Sequence, residues 1–240
     1  MKPVVFFDMD GTLLNMGESA FEKEYLQRML LFFERKFPGK GKDVMKAMGY
    51  AAEKMKQNDG SQSNEILFWQ AFEKASGQTR ENFEPQFLQY YSTDYAHIGD
   101  GYVPDAAMKE LVHLLAQKGY QLVVATNPLV PQIANQQRVR WAGVGDVEWL
   151  EITSFEKYSS CKPNARFYQE ICARLQLDPK DCIMIGNSIT DDGVAQQIGM
   201  DFYLLLGENP ESDAAAYTGQ KGTREELLEL VKGLAMREKF

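Results

Sequence analysis

Two carboxylates stand one residue apart in Asp8-Met9-Asp10-Gly11-Thr12, directly after the apolar run Val4-Val5-Phe6-Phe7. A run that is apolar at every position suits a strand buried on both faces of a parallel sheet. The acids that follow it then fall at the carboxyl edge of that sheet, where α/β proteins bind their ligands. Gly11 lets the chain turn sharply there and hold both acids toward one point. Neighbouring carboxylates repel unless one keeps its proton or a cation sits between them. Magnesium (Mg2+) is the natural cation for such oxygen donors. Taken alone, the segment is explained equally well as a strand ending in a solvated Asp-Gly turn.

Three later segments add matching groups. Thr126-Asn127 brings a hydroxyl and an amide to the end of the run Gln121–Thr126, so both project toward the crevice of Asp8. Lys162-Pro163 precedes a helical pattern, and a lysine at this edge neutralises phosphate charge. Gly186-Asn187-Ser188-Ile189-Thr190-Asp191-Asp192 follows the run Cys182–Ile185 and adds two acids. Each has an ordinary explanation as a turn, a surface lysine or first-turn helix acids. The joint pattern argues against those explanations: every group falls at the end of a strand or the start of the next helix.

The positioning elements follow from periodicity. Strands are expected at Val4–Phe7, Gln121–Thr126, Val147–Ile152, Cys182–Gly186 and Asp201–Leu206. Between them, Pro104–Lys118 places Met108, Leu111, Val112 and Leu115 at helix spacing, and Phe167, Ile171 and Leu175 mark a second helix. Thr223-x-x-Glu226 is a capping-box pattern ahead of Leu227, Leu230, Val231 and Leu234. Residues 16–96 lack strand character and carry four amphipathic helices. The first has a capping box at Ser19-x-x-Glu22 and ends near Phe37-Pro38-Gly39; the others run through Val44–Met55, Ile66–Ala75 and Phe83–Tyr91. The expectation is an α/β protein whose Rossmann-like, doubly wound parallel sheet core comprises residues 1–15 and 97–240, with an all-α helical domain inserted at 16–96. Phe68, Trp69 and Tyr91 are expected in the core of that insert rather than against a ligand.

Composition narrows the function classes. The 240 residues are 44% hydrophobic and 25% charged, an ordinary globular balance. With 26 Lys plus Arg against 34 Asp plus Glu, the net charge is −8, and no basic tract follows a phosphate backbone, so no nucleic acid polymer is expected as a partner. The N-terminal apolar run stops after four residues, so neither an export segment nor a membrane partner is expected. Cys161, Cys172 and Cys182 are odd in number and lack zinc spacing, which suits reduced thiols and a cytoplasmic location. Cys161 lacks an identified base and is read as inert. With two histidines and no G-x-S-x-G turn, hydrolysis has to run on carboxylates.

In order and context, the four segments resemble the four motifs of the haloacid dehalogenase-like hydrolase superfamily, most of whose members are magnesium-dependent phosphatases. The resemblance spans residues 4–206, is most specific at Asp8-Met9-Asp10-Gly11-Thr12, and makes the insert similar to that family's helical cap. It implies that Asp8 attacks phosphorus and becomes an aspartyl phosphate, while Asp10 protonates the leaving oxygen and later activates water. Thr126 and Asn127 would bind the phosphoryl group, and Lys162 would balance its charge. Magnesium would be held by Asp8, the Asp10 main-chain carbonyl and the fourth motif, through Asn187, Asp191 or Asp192; Asp192 is favoured because its spacing from Gly186 fits one common form of the motif, while Asp191 fits the other. Asn187 departs from the family, which usually has Asp there, and makes the metal site less negative. Asp10 favours a phosphate ester over a haloacid, because dehalogenases lack this second acid. A small phosphorylated substrate is therefore expected. A phosphomutase, or a catalytically weak relative that binds a phosphorylated ligand, is the alternative; substrate identity and oligomeric state stay open.

Overall fold

The computed structural model describes residues 1–15, 18–207 and 214–237, with side chains in the first helix from Phe21 onward. Six strands form one parallel sheet: β1 (Val4–Phe7), β2 (Gln121–Val124), β3 (Glu151–Ile152), β4 (Cys182–Gly186), β5 (Asp201–Leu205) and β6 (Gln220–Gly222). Their spatial order is β3-β2-β1-β4-β5-β6, the doubly wound order that places its switch point beside the first strand. Side chains alternate across the central strands. Val5, Phe7, Leu122, Val124, Ile183 and Ile185 face α5 (Ala106–Gln117) and α8 (Arg224–Lys232). Val4, Phe6, Val123, Ala125, Cys182 and Met184 face α7 (Ala165–Leu175). Burial on both faces explains why these runs are apolar throughout.

Register sets the geometry of the functional edge. Phe7 lies opposite Val124 on one side and Ile185 on the other. The pairing continues past the strand ends: Asp8 N donates to Ile185 O at 3.0 Å, and Ala125 N donates to Phe7 O at 2.8 Å. Asp8, Ala125 and Gly186 therefore end level with one another, and Thr126 follows one residue on.

Between β1 and α5 lie the helices of the insert: α1 (Glu18–Lys36), α2 (Gly41–Lys56), α3 (Asn64–Ser76) and α4 (Arg80–Ser92). Their bounds match the expected helices, although Ser19 already lies within α1 and its side chain is outside the described residues. Phe33, Phe72, Phe83 and Tyr90 form an aromatic core, in which Phe72 and Phe83 ring centroids lie 4.3 Å apart. Phe68, Trp69 and Tyr91 are buried in it, as their spacing suggests. This core extends to Ala134 and Phe155 on the sheet side. Asn64 N and Glu65 N donate to Tyr158 O and Phe155 O at 2.8 and 2.9 Å, so the start of α3 is seated against the sheet domain.

Three features differ from the sequence expectation. The strand expected at Val147–Ile152 shortens to Glu151–Ile152, because an edge strand has one neighbour and only Val123 and Val124 pair with it. β6 is polar and mostly exposed, so no apolar run announces it. A further helix, α6 (Gln132–Trp141), follows Thr126-Asn127; its buried face includes Asn135, Gln137 and Arg138, which hides it from a search for apolar periodicity. The Thr223–Glu226 capping box of α8 is present, with Thr223 N donating to Glu226 Oε2 at 2.8 Å and Glu226 N donating to Thr223 Oγ1 at 3.3 Å. Leu230, however, is 43% exposed and contributes little to the core stripe. Leu111→Ala is therefore expected to destabilise the fold by about 2–5 kcal/mol and Leu230→Ala by about 0.5 kcal/mol or less. Urea unfolding of both variants checks the contrast.

Candidate active site

Nine residues, Asp8, Asp10, Thr126, Asn127, Lys162, Asn187, Ser188, Asp191 and Asp192, line one cavity of about 300 Å³ at the carboxyl edge of the sheet. Every candidate named from the sequence is among them. A larger hollow of about 730 Å³ lies on the insert between α2 and the end of α3, lined by Lys40, Asp43, Val44, Lys46 and Ala47 and by Ala75–Gln78. Size alone does not make a site, and that hollow gathers no comparable set of convergent groups.

Lys162 is the centre of the small cavity. Its Nζ donates to Asp8 Oδ1 and to Asp192 Oδ1, both at 2.6 Å, and its side chain is 2% exposed. Asp192 is equally enclosed, and its Oδ2 accepts from Ser188 N at 3.1 Å, so both its oxygens are engaged by the protein. Burial pushes the Asp8 carboxyl above its usual range; Lys162 draws it down, and Asp192 and Asp10 push it up again. For Lys162, burial acts downward, but Asp192 and then Asp8 outweigh it and hold the ammonium well above its ordinary value. A buried cation with two carboxylate partners stays charged.

The loops are fitted around this pair. Asn127 Oδ1 accepts from Lys162 N at 2.8 Å, which fixes the lysine backbone beside the end of β2. Thr126 is buried, and its carbonyl accepts from Thr153 Oγ1 at 2.6 Å. Gly11 has φ +75°, and a Cβ there would meet Asn187 Nδ2 at 2.5 Å; the turn needs both the left-handed backbone and the missing side chain. Thr12 Oγ1 donates to Asn187 Oδ1 at 3.3 Å, joining the first and fourth segments. At Gly186 a Cβ would collide with the Asp192 carboxylate. Asp191 O accepts from the Tyr168 hydroxyl at 3.1 Å. Cys161 is buried, its thiol donating to Met55 O at 3.7 Å, and burial pushes it up to about 11, consistent with an inert thiol.

Two arginines at the site have no precedent in the sequence reading. Arg138 of α6 donates from Nη2 to Asp10 Oδ1. Arg224, the first residue of α8, donates from Nη2 to Gly11 O at 2.6 Å and so braces the turn that carries both acids. Each belongs to a helix far along the chain, and only the tertiary fold brings it to the first segment.

A family model for haloacid dehalogenase-like hydrolases matches residues 2–199. The phosphoglycolate phosphatase of Vibrio vulnificus strain YJ016 is 24% identical over 217 residues, which cover 86% of this chain and 85% of that protein. A crystal structure of a haloacid dehalogenase-type phosphatase from Thermococcus onnurineus superposes with a TM-score of 0.59 at 19% identity, covering 99% of this chain and 100% of that one. The L-2-haloacid dehalogenase of Xanthobacter autotrophicus, with chloropropionic acid covalently bound, superposes with a TM-score of 0.54 at 15% identity, covering 98% and 100%.

The two demands on Gly11 are separable. Gly39 also has φ +75°, but nothing lies within 4 Å of its would-be Cβ. Gly39→Ala is expected to cost about 1–2 kcal/mol from the backbone alone, and Gly11→Ala more, because Asn187 must also move. Comparing their unfolding free energies measures the close approach; equal losses would contradict it.

Proposed function

The chain belongs to the haloacid dehalogenase-like hydrolase family, and from that premise we propose that it is a phosphatase acting on a small phosphorylated metabolite through a phosphorylated Asp8. The observation that carries this reading is the buried ammonium of Lys162 shared by Asp8 and Asp192 in a small cavity lined by polar and charged residues. A carboxylate beside an ammonium there suits attack on a phosphoryl group, whose negative oxygens need the same positive charge. The supporting relatives include the phosphoglycolate phosphatase of Vibrio vulnificus, and the volume of about 300 Å³ suits a compact ester.

The residues divide the work. Asp8 uses a carboxylate oxygen to displace the alcohol from phosphorus, giving an acyl phosphate. Asp10, whose side chain is 45% exposed, reaches toward the cavity mouth, where it delivers a proton to the departing oxygen. In the second half it takes a proton from the water that attacks the acyl phosphate. Lys162 balances charge on Asp8 and the phosphoryl group throughout. Thr126 supplies its hydroxyl and Asn127 its amide to the phosphoryl oxygens. Residues 16–96 serve as the cap that excludes bulk water, held down by the α3 contacts with Phe155 and Tyr158.

A divalent cation fits the donor chemistry. Among the described residues, Asp8 Oδ2 and the Asp10 carbonyl oxygen accept no hydrogen bond, and both are hard oxygen donors. No group of three or more His, Cys, Asp or Glu side chains among those residues is arranged to hold a metal. Few protein ligands, completed by waters and substrate oxygens, are the usual arrangement for magnesium. Asp8, the Asp10 carbonyl and, at the fourth segment, Asn187 or Asp191 would hold it; Asp192, favoured from its spacing, is set aside because its oxygens already accept from Lys162 and Ser188. When bound, magnesium supplies Lewis-acid neutralisation of the phosphoryl charge.

Phosphate release from 4-nitrophenyl phosphate is expected with magnesium and expected to disappear with EDTA. Asp8→Asn is expected to reduce it to background, and Asp10→Asn, which loses the base that activates water against the acyl phosphate, to lower kcat by about 10²–10⁴-fold. Activity surviving in Asp8→Asn would rule out this nucleophile. Asn187→Asp adds a carboxylate at the metal edge and is expected to tighten magnesium binding in isothermal titration. Unchanged or weaker binding would show that Asn187 is not part of the metal's surroundings.

A further inference from the structure

Arg138 is a costly residue for its position. Its guanidinium is 6% exposed on a helix that faces the sheet and the insert, and burying a charge of that kind costs several kcal/mol before any partner is counted. Its contacts form a single line. Thr153, just past β3, donates to Thr126 O and accepts from Asn135 Nδ2 at 2.8 Å through its own carbonyl. Asn135 Oδ1 accepts from Arg138 Nη1 at 3.1 Å, and Arg138 Nη2 reaches Asp10 Oδ1. Arg138 Cζ lies over the Phe21 ring of the insert, 5.3 Å from its centroid and within cation–π range. The planar fork is thus held by Asn135 and by the Phe21 ring before it meets Asp10.

Asp10 needs such a hold. It stands in a turn, nearly half exposed, and its Oδ2 accepts no hydrogen bond among the described residues. The geometry assigns Arg138 as a positioning residue: it engages Oδ1 of Asp10 and so presents Oδ2 to the leaving oxygen of the substrate. This rests on the phosphatase reading above. Arg138 is not among the residues that line the cavity of Asp8 and Lys162; it acts through Asp10, and through Phe21 it links Asp10 to the insert.

The dependence of kcat/KM on the leaving group tests this role. Departure of 4-nitrophenolate needs little help from an acid, whereas departure of phenolate gains from it. In Arg138→Met, kcat/KM is expected to fall by about 10-fold or more for phenyl phosphate, a part of the usual acid–base contribution, and by about threefold or less for 4-nitrophenyl phosphate. Inhibition by inorganic phosphate is expected to be unchanged. Asp10→Asn should show the same discrimination between esters, and the double variant no further discrimination, because two residues acting through one group are not additive. Arg138→Lys keeps a charge but loses the fork; it should restore part of the phenyl phosphate activity, and it carries the same readout if Arg138→Met does not fold. Parallel losses on both esters, an unchanged ratio in Arg138→Lys, or weakened phosphate inhibition would overturn the positioning role while leaving the phosphatase reading intact. Failure of the wild-type protein to hydrolyse either ester would overturn both.

Discussion

One ammonium shared by two buried carboxylates organises this molecule. Lys162, Asp8 and Asp192 come from three separate segments of the chain, and none of the three is tolerable in that enclosed place without the others. Removing the lysine would leave two like charges facing each other; removing either acid would leave a buried cation with half its compensation. Such an arrangement persists only where the backbone places all three within about an ångström. The parallel register of β1 between β2 and β4 does this, because matched strand ends release their loops at one level. Asn127 then fixes the Lys162 backbone, and Ser188 fixes Asp192.

Around that centre, charge is distributed in two pairs with different exposure. Asp8 and Lys162 lie deep in the cavity, suited to holding a reacting phosphoryl group in a low-dielectric place where electrostatic interactions are strong. Asp10 lies nearer the surface, nearly half exposed, and is held there by the buried Arg138. The glycines serve the same division: the backbone at Gly11 makes room for Asn187, and that at Gly186 makes room for Asp192. The insert contributes an aromatic core of its own and reaches the site indirectly, through Phe21 above Arg138 and through the α3 contacts.

Much of this was legible in the sequence, for physical reasons that also explain the omissions. β1, β2, β4 and β5 are buried on both faces, so their apolar runs stand out, and the chemical groups that follow them could be assigned to one edge. The insert's helices carry strong apolar stripes because they bury one face against each other. β6 and most of Val147–Ile152 lie at sheet edges, where burial is slight and the residue pattern weak. Helix α6 escaped for the opposite reason: it buries Asn135, Gln137 and Arg138, polar residues whose place inside depends on partners distant in the chain. Arg224 was visible only as a residue after a capping threonine; that it holds Gly11 O depends on α8 packing beside the first turn. Local pattern reports burial of apolar surface, while polar networks become readable only with the fold.

The central claim is that the phosphoryl group is transferred to Asp8 before it reaches water. Rapid acid quenching during turnover of a labelled phosphate ester, followed by borohydride reduction and peptide mapping by mass spectrometry, reads this directly. The account predicts the reduced product of an acyl phosphate at Asp8 and none in the Asp8→Asn protein. Turnover with the label on another residue, or with no covalent phosphoryl enzyme at any time point, would contradict it.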